Sequence, residues 1–116
     1  MKGTIKFLLL LCVLFGAQAA LAAPITPGSF STTWDTGADT SISITLGGCD
    51  DGEDVYWEEV GNAANNGTGS CQVGLTTVTF PTPGQYRVDF DGNWTSFNLG
   101  NAANKNKFRT VEQWGS

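Results

Sequence analysis

The sequence predicts an all-β protein, a small sandwich of six or seven short strands that begins after an export signal. Two observations predict the strands. Beyond the N-terminal segment no stretch keeps a helical period over three turns, whereas short runs of alternating apolar and polar residues recur about every ten residues. Gly and Pro, at 15 and 4 of the 116 residues, punctuate those runs. A third observation predicts the signal: one greasy run sits at the extreme N-terminus, between lysines and a stretch of small residues.

That first segment has the order of a secretory signal peptide. Lys2 and Lys6 supply the positive end, Phe7 to Phe15 (FLLLLCVLF) the apolar core, and Gly16 to Ala23 the small residues. The apolar run is far shorter than the roughly 20 residues that cross a bilayer as a helix, so no permanent membrane anchor is expected. Ala20-Leu21-Ala22 offers an A-x-A cleavage site, with Ala17-Gln18-Ala19 as the alternative. The expected organisation is therefore a signal peptide over 1–22 and a single domain over 23–116. Cys12 lies inside the apolar run rather than after the small residues, which argues against lipid attachment.

In the mature chain Ser29 to Trp34 (SFSTTW) follows Pro27-Gly28 and reads as the first strand. Thr40 to Leu46 (TSISITL) alternates, with Ile42, Ile44 and Leu46 on one face, and stops at Gly47-Gly48. Asp54 to Val60 (DVYWEEV) is a third strand, for which Val55 and Trp57 are the expected inward residues. Gly61 to Ser70 (GNAANNGTGS) is small and polar and is expected to be a loop. A fourth strand runs through TTVTF with Val78 and Phe80 inward, and Pro81-Thr82-Pro83-Gly84 turns it.

Gln85 to Phe90 (QYRVDF) has the clearest alternation, with Tyr86, Val88 and Phe90 inward and Gln85, Arg87 and Asp89 outward. Asp91-Gly92 reads as a hairpin turn into Trp94 to Leu99 (WTSFNL). Asn101 to Asn106 is expected to be a polar loop, and Phe108 to Trp114 (FRTVEQW) the last strand. Strands of this number and length in about 90 residues fit a β-sandwich of immunoglobulin type.

Loss of the signal changes two counts. The mature chain keeps four basic residues, Arg87, Lys105, Lys107 and Arg109, against eleven acids, a formal charge of −7. All four bases lie from position 87 onward and eight acids lie between Asp35 and Glu59, which suggests an acidic face. Such a balance excludes a nucleic-acid partner, whose phosphates require clustered Lys and Arg. Cys12 departs as well, so Cys49 and Cys71 remain as a pair that brackets a polar loop, and in an exported protein a disulfide is the expected use. Closing that loop stabilises the fold by about 3 kcal/mol in the chain-entropy description.

The composition also bounds the chemistry. With no histidine in the chain there is no His-based metal site, no Ser-His or Cys-His nucleophile pair and no imidazole proton shuttle. Two thiolates alone are too few ligands for zinc. Glu58 and Glu59 are adjacent on a strand and point to opposite faces, so they cannot flank one bond as an acid/base pair. The chain is read as non-catalytic and without a cofactor.

Three segments carry a resemblance. Thr76 to Val88 (TTVTFPTPGQYRV) resembles the closing hairpin of PKD-type immunoglobulin-like domains, in which a strand, a Pro-Gly turn and a tyrosine-bearing strand follow one another. With Phe30 to Trp34 (FSTTW) before it and Lys107 to Gly115 (KFRTVEQWG) after it, the chain is similar to the PKD-like module that precedes leucine-rich repeats in BspA-like bacterial surface proteins. The likeness runs from Phe30 to Gly115. It implies an extracellular or cell-surface spacer or adhesion module, with Gly84 permitting the turn and Tyr86 plugging the end of the sandwich. It also implies a continuation into repeats after Ser116, on which Val111 and Trp114 would pack. One departure is that Trp57 is followed by Glu58-Glu59-Val60-Gly61 instead of the W-G-D-G turn such modules often carry.

Two other sites are weighed beside this reading. Asp50, Asp51, Glu53 and Asp54 around Gly52 supply carboxylates of the kind calcium takes, though without the order of an EF-hand loop. Trp34, Trp57, Trp94 and Trp114 would form a sugar-stacking platform if they lay together on one sheet. The expected function is thus a secreted or cell-surface module that presents an adjacent repeat domain to an extracellular protein or glycan. A carbohydrate-binding module and a calcium-binding surface domain are the alternatives.

Overall fold

The computed structural model describes residues 21–48, 54–92, 95–100 and 102–115. Eight strands and one short helix follow in the order β1 (Phe30–Asp35), β2 (Ser41–Gly47), β3 (Asp54–Glu59), β4 (Asn62–Ser70), β5 (Leu75–Thr79), β6 (Gln85–Phe90), β7 (Ser96–Asn98), α1 (Ala102–Lys107) and β8 (Phe108–Trp114). They form two antiparallel sheets, a large one ordered β4-β3-β6-β1-β8 and a small one ordered β5-β2-β7. The small all-β sandwich expected from the alternation is present, with one strand more than the sequence suggested.

Both sheets turn their apolar residues to a common core. Phe30 and Trp34 of β1, Val55 and Trp57 of β3, and Tyr86, Val88 and Phe90 of β6 meet Ile42, Ile44 and Leu46 of β2 and Val78 of β5. These are the inward residues the period of two assigns. Trp34 is wholly buried, and its indole N–H donates to Thr32 Oγ1 at 2.7 Å, so its polar edge is satisfied inside the protein.

The extra strand is β4, which corrects the expected loop over Gly61 to Ser70. It pairs with β3 across a turn in which Gly61 adopts φ +82°, a conformation few other residues accept. As an edge strand β4 needs one partner only, and backbone hydrogen bonding can supply it without apolar side chains. Composition therefore hides the strand. The small residues serve the packing: Gly67 faces Trp57 across the pair, and a methyl there would lie 2.5 Å from Trp57 Cζ2. Between Asn66 and Asn62 the register shifts, and the Asn66 side-chain amide donates to the Ala63 carbonyl across that irregularity.

The second correction concerns the connections. Asp91-Gly92 does not close a hairpin, and neither does Pro81 to Gly84, because β6 belongs to the large sheet while β5 and β7 belong to the small one. Both segments carry the chain from sheet to sheet. The Pro81–Gly84 crossing is held by Tyr86, whose hydroxyl donates back to the Thr82 carbonyl at 2.7 Å while its ring stacks on Phe80 at 3.9 Å. Gly84 itself has ordinary backbone dihedrals, and its N–H donates to Thr36 Oγ1 at 2.9 Å.

The third correction is α1, where a polar loop was expected over Asn101 to Asn106. Strand β7 pairs with β2 only at Thr45, Leu46 and Gly47, which leaves the backbone of Ser41 and Ser43 without a strand on that edge. The helix fills the place: Asn104 Oδ1 accepts the Ser43 N–H at 3.2 Å and Lys107 Nζ donates to the Ser41 carbonyl at 2.9 Å. Buried backbone groups must be paired, and here side chains complete what a three-residue strand cannot reach. No helix among the described residues is long and apolar enough to cross a membrane.

Candidate functional site

Two places depart from a plain sandwich. The first lies on the outer face of the large sheet, where Arg87 and Asp89 were expected to point into solvent. They do point away from the core, yet both are buried. The register explains how they meet their partners, since Glu58 stands opposite Arg87, Tyr56 opposite Asp89, and Ser31 opposite Asp89. Arg87 Nη1 pairs with Glu58 Oε1 at 3.1 Å, while its Nε and Nη2 donate to the two Asp89 oxygens at 3.1 and 2.8 Å. The Tyr56 hydroxyl donates to Glu58 Oε2 at 2.9 Å and the Ser31 hydroxyl to Asp89 Oδ1. The two-point geometry on Asp89 is the strong form of an arginine–carboxylate contact.

The N-terminal segment covers this cluster. The Ala23 N–H donates to Glu58 Oε2 at 3.2 Å, and Arg87 Nη1 donates to the Ala23 carbonyl. Gln113 of β8 ties the same segment down by donating to the carbonyls of Thr26 and Ser29, each at 2.8 Å. Burial, together with the hydrogen bond and negative charge of Glu58, raises the Tyr56 pKa above the usual phenol value of 10.0. Among the described residues no buried polar side-chain atom lacks a hydrogen-bond partner. The carboxylates of the cluster are thus engaged by Arg87, Tyr56, Ser31 and Ala23, whereas Glu59 is engaged elsewhere, by Asn62.

The second place is an aromatic step at one end of the sandwich. Phe30, Phe97 and Trp114 pack with ring centroids 5.2 to 6.0 Å apart. Phe30 belongs to the core, but the outermost ring, Trp114, remains 68% exposed. With Leu46, Thr95 and Ser96 these rings line an open depression of ≈ 310 Å³. Val111, which the resemblance assigned to an external partner together with Trp114, instead packs against the core.

The remaining expected sites resolve as follows. Trp34 and Trp57 are core residues at 0% and 7% exposure, so they cannot stack on a sugar, and Trp94 lies outside the described residues. Among the described tryptophans of that platform, only Trp114 is in a position to touch a ligand. Asp50, Asp51 and Glu53 lie outside the described residues, and so do Cys49 and residues 1–20 of the expected signal peptide. Asp54 begins β3, exposed, and no group of three or more metal-ligating side chains occurs among the described residues. Cys71 is wholly buried, and its sulfur accepts the Thr76 hydroxyl at 3.6 Å.

Part of the expected acidic face lies outside the described residues, at Asp50, Asp51 and Glu53. Among the described residues the fold pairs three of the four bases from position 87 onward with acids, Arg87 with Glu58 and Asp89, Lys107 with Asp39 at 3.0 Å, and Arg109 with Asp35 at 3.8 Å. The residues that sequence reasoning missed are Ala23, Tyr56, Glu58, Arg87 and Asp89. The available signal was that charged residues occupied both a strand already rich in aromatics and its neighbour. Comparison of the chain with protein-family models, with curated proteins and with solved structures finds no match in any of the three.

Proposed function

We propose that the chain is an exported, non-catalytic surface module of PKD-like type that presents an adjacent repeat domain. The observation that carries this reading is Trp114. It is an exposed ring stacked on Phe30 and tilted against Phe97, on the last strand, where a following unit would cover it. Large aromatic rings left half-packed at the rim of a core are the usual anchors of an interface. Non-catalytic character is supported by the burial of Glu58 and Asp89 and their ion pairing with Arg87, which turns both toward a structural contact.

Export belongs to the same reading, with residues 1–22 as the signal peptide and Cys49 joined to Cys71. The pairing is supported by the complete burial of Cys71 just before β5. Thr45 pairs with Leu75, so the segment leaving β2 toward residue 49 and the segment entering β5 from residue 71 lie at the same end of the small sheet.

The test is to read the gene beyond codon 116 and to follow Trp114 in the resulting protein. Repeats after Ser116, together with acrylamide quenching of Trp114 that falls in the longer chain, are the expected results. A stop codon at 117, or a Trp114 equally quenched in both chains, would overturn the presenting role.

A further inference from the structure

The polar cluster on the large sheet has an unbalanced charge. Glu58 and Asp89 bring two carboxylates and Arg87 one guanidinium, and all three side chains are at most 10% exposed. A buried negative charge without a counter-charge is costly. The other groups facing it are the neutral hydroxyls of Tyr56 and Ser31, with Glu59 bordering the same recess. No further cation from β1, β3 or β6 reaches Glu58. What reaches it is the main-chain nitrogen of Ala23, 3.2 Å from Glu58 Oε2.

Ala23 is also the first residue after the A-x-A sequence Ala20-Leu21-Ala22. Exposure falls at this bond: Leu21 is 93% exposed and Ala22 exposed, whereas Ala23 is half-buried with its carbonyl held by Arg87 Nη1. The residue that cleavage would make the first is thus the one hydrogen-bonded to Glu58 and Arg87 of the sheet.

We infer that the chain is cut between Ala22 and Ala23, and that the α-ammonium so released is seated on the sheet as the ion-pair partner of Glu58. In the cut, water adds across the Ala22–Ala23 peptide bond. The C–N bond breaks, the oxygen stays on Ala22 as a carboxylate, and the Ala23 nitrogen takes up the protons. A neutral N–H donor becomes a cation with three donors at the same place. The cluster then holds two negative and two positive charges, and the first residue of the mature chain is locked to β3 and β6. The inference rests on the export reading above, and it assigns that reading its processing bond and a structural use for the new terminus.

The sign of the pH effect follows. An α-amino group ordinarily titrates near about 8. Beside Glu58 the charged form is favoured, so its value in the folded protein rises; the contribution to stability is complete below about 8 and is lost as pH climbs through the raised value. Tyr56, Ser31, Arg87, Asp89 and Glu59 are the other groups against it, and of these Arg87 alone opposes the rise.

The experiment expresses the full chain in an exporting host and determines the first residue of the processed protein by intact mass. The α-amino group of the first residue is then titrated by NMR through that residue's own Cα and Hα shifts, in the wild type and in Glu58→Gln, where it is that of Ala23, and in a chain with one glycine inserted before Ala23, where the inserted glycine carries it. The expected results are Ala23 as first residue, titration above about 8 in the wild type, and return toward about 8 in both altered chains. The glycine insertion leaves Glu58 and Arg87 intact, so the comparison survives if Glu58→Gln fails to fold. A first residue other than Ala23, or an Ala23 amine that titrates as an ordinary one, overturns this inference and leaves export standing. Retention of residues 1–22 on a chain that stays in the cell overturns both.

Discussion

Replacing Gly67 by alanine tests whether residues 62–70 form the strand described here. The added methyl would lie 2.5, 2.7 and 2.9 Å from Cζ2, Cε2 and Nε1 of Trp57, well inside van der Waals contact. The indole has little room to retreat, because Phe80 and Tyr86 pack edge-on to it at 5.2 and 5.6 Å. Overpacking of this kind costs about 1–3 kcal/mol. For a domain of this size each kcal/mol is worth roughly 4–8 °C in Tm, so a fall of at least about 4 °C is expected. Gly69→Ala is the control two residues along the same strand, where the nearest atom, Val55 Cβ, is 3.9 Å away and φ is not positive. There the methyl meets ordinary contact, and loss of unfolded-chain freedom makes the change neutral or stabilising by up to about 1 kcal/mol. Thermal unfolding followed by near-ultraviolet circular dichroism measures both. Equal Tm values for the two variants would refute the packing of β4 on Trp57 and return the segment to a loop.

Three other outcomes follow from the same contacts. Arg87→Ala leaves Glu58 and Asp89 buried without their cation, and urea unfolding should show a loss of about 3–5 kcal/mol. Tyr56 has its pKa raised, so its contribution to stability is complete below the ordinary value near 10.0 and is lost as pH rises through the folded value; absorbance titration at alkaline pH should show a late-ionising phenol that Tyr56→Phe removes. Asn104→Ala takes the acceptor from the Ser43 N–H, a cost of about 1–3 kcal/mol read as faster amide exchange at Ser43 together with a lower Tm.

The alternation in TSISITL and QYRVDF was sufficient to identify β2 and β6 and their core faces, because a period of two leaves a sheet residue only two directions. In β3 the period alone left two faces open, Val55 and Trp57 or Tyr56 and Val60, and the structure buries Val55 and Trp57 in the core. GNAANNGTGS was not legible, since an edge strand is held by backbone bonds that carry no side-chain signature, and Gly67 within it serves a ring ten residues away in the chain. Asn101 to Asn106 was missed because its helix exists to satisfy the edge of β2, a demand set by how short β7 is.

The candidate sites divide along the same line. By itself the sequence determined the all-β class, the core faces of the alternating strands and the absence of histidine chemistry, all of which depend on local period or on composition. Only the tertiary structure decided that Trp34 and Trp57 are core and Trp114 is exposed, and that Arg87, Lys107 and Arg109 return to the acids. It alone brought Ala23 to Glu58, 35 residues away in the chain. Contacts of that kind depend on strand register and on which face a covering segment crosses, and neither is written in the neighbourhood of any one residue.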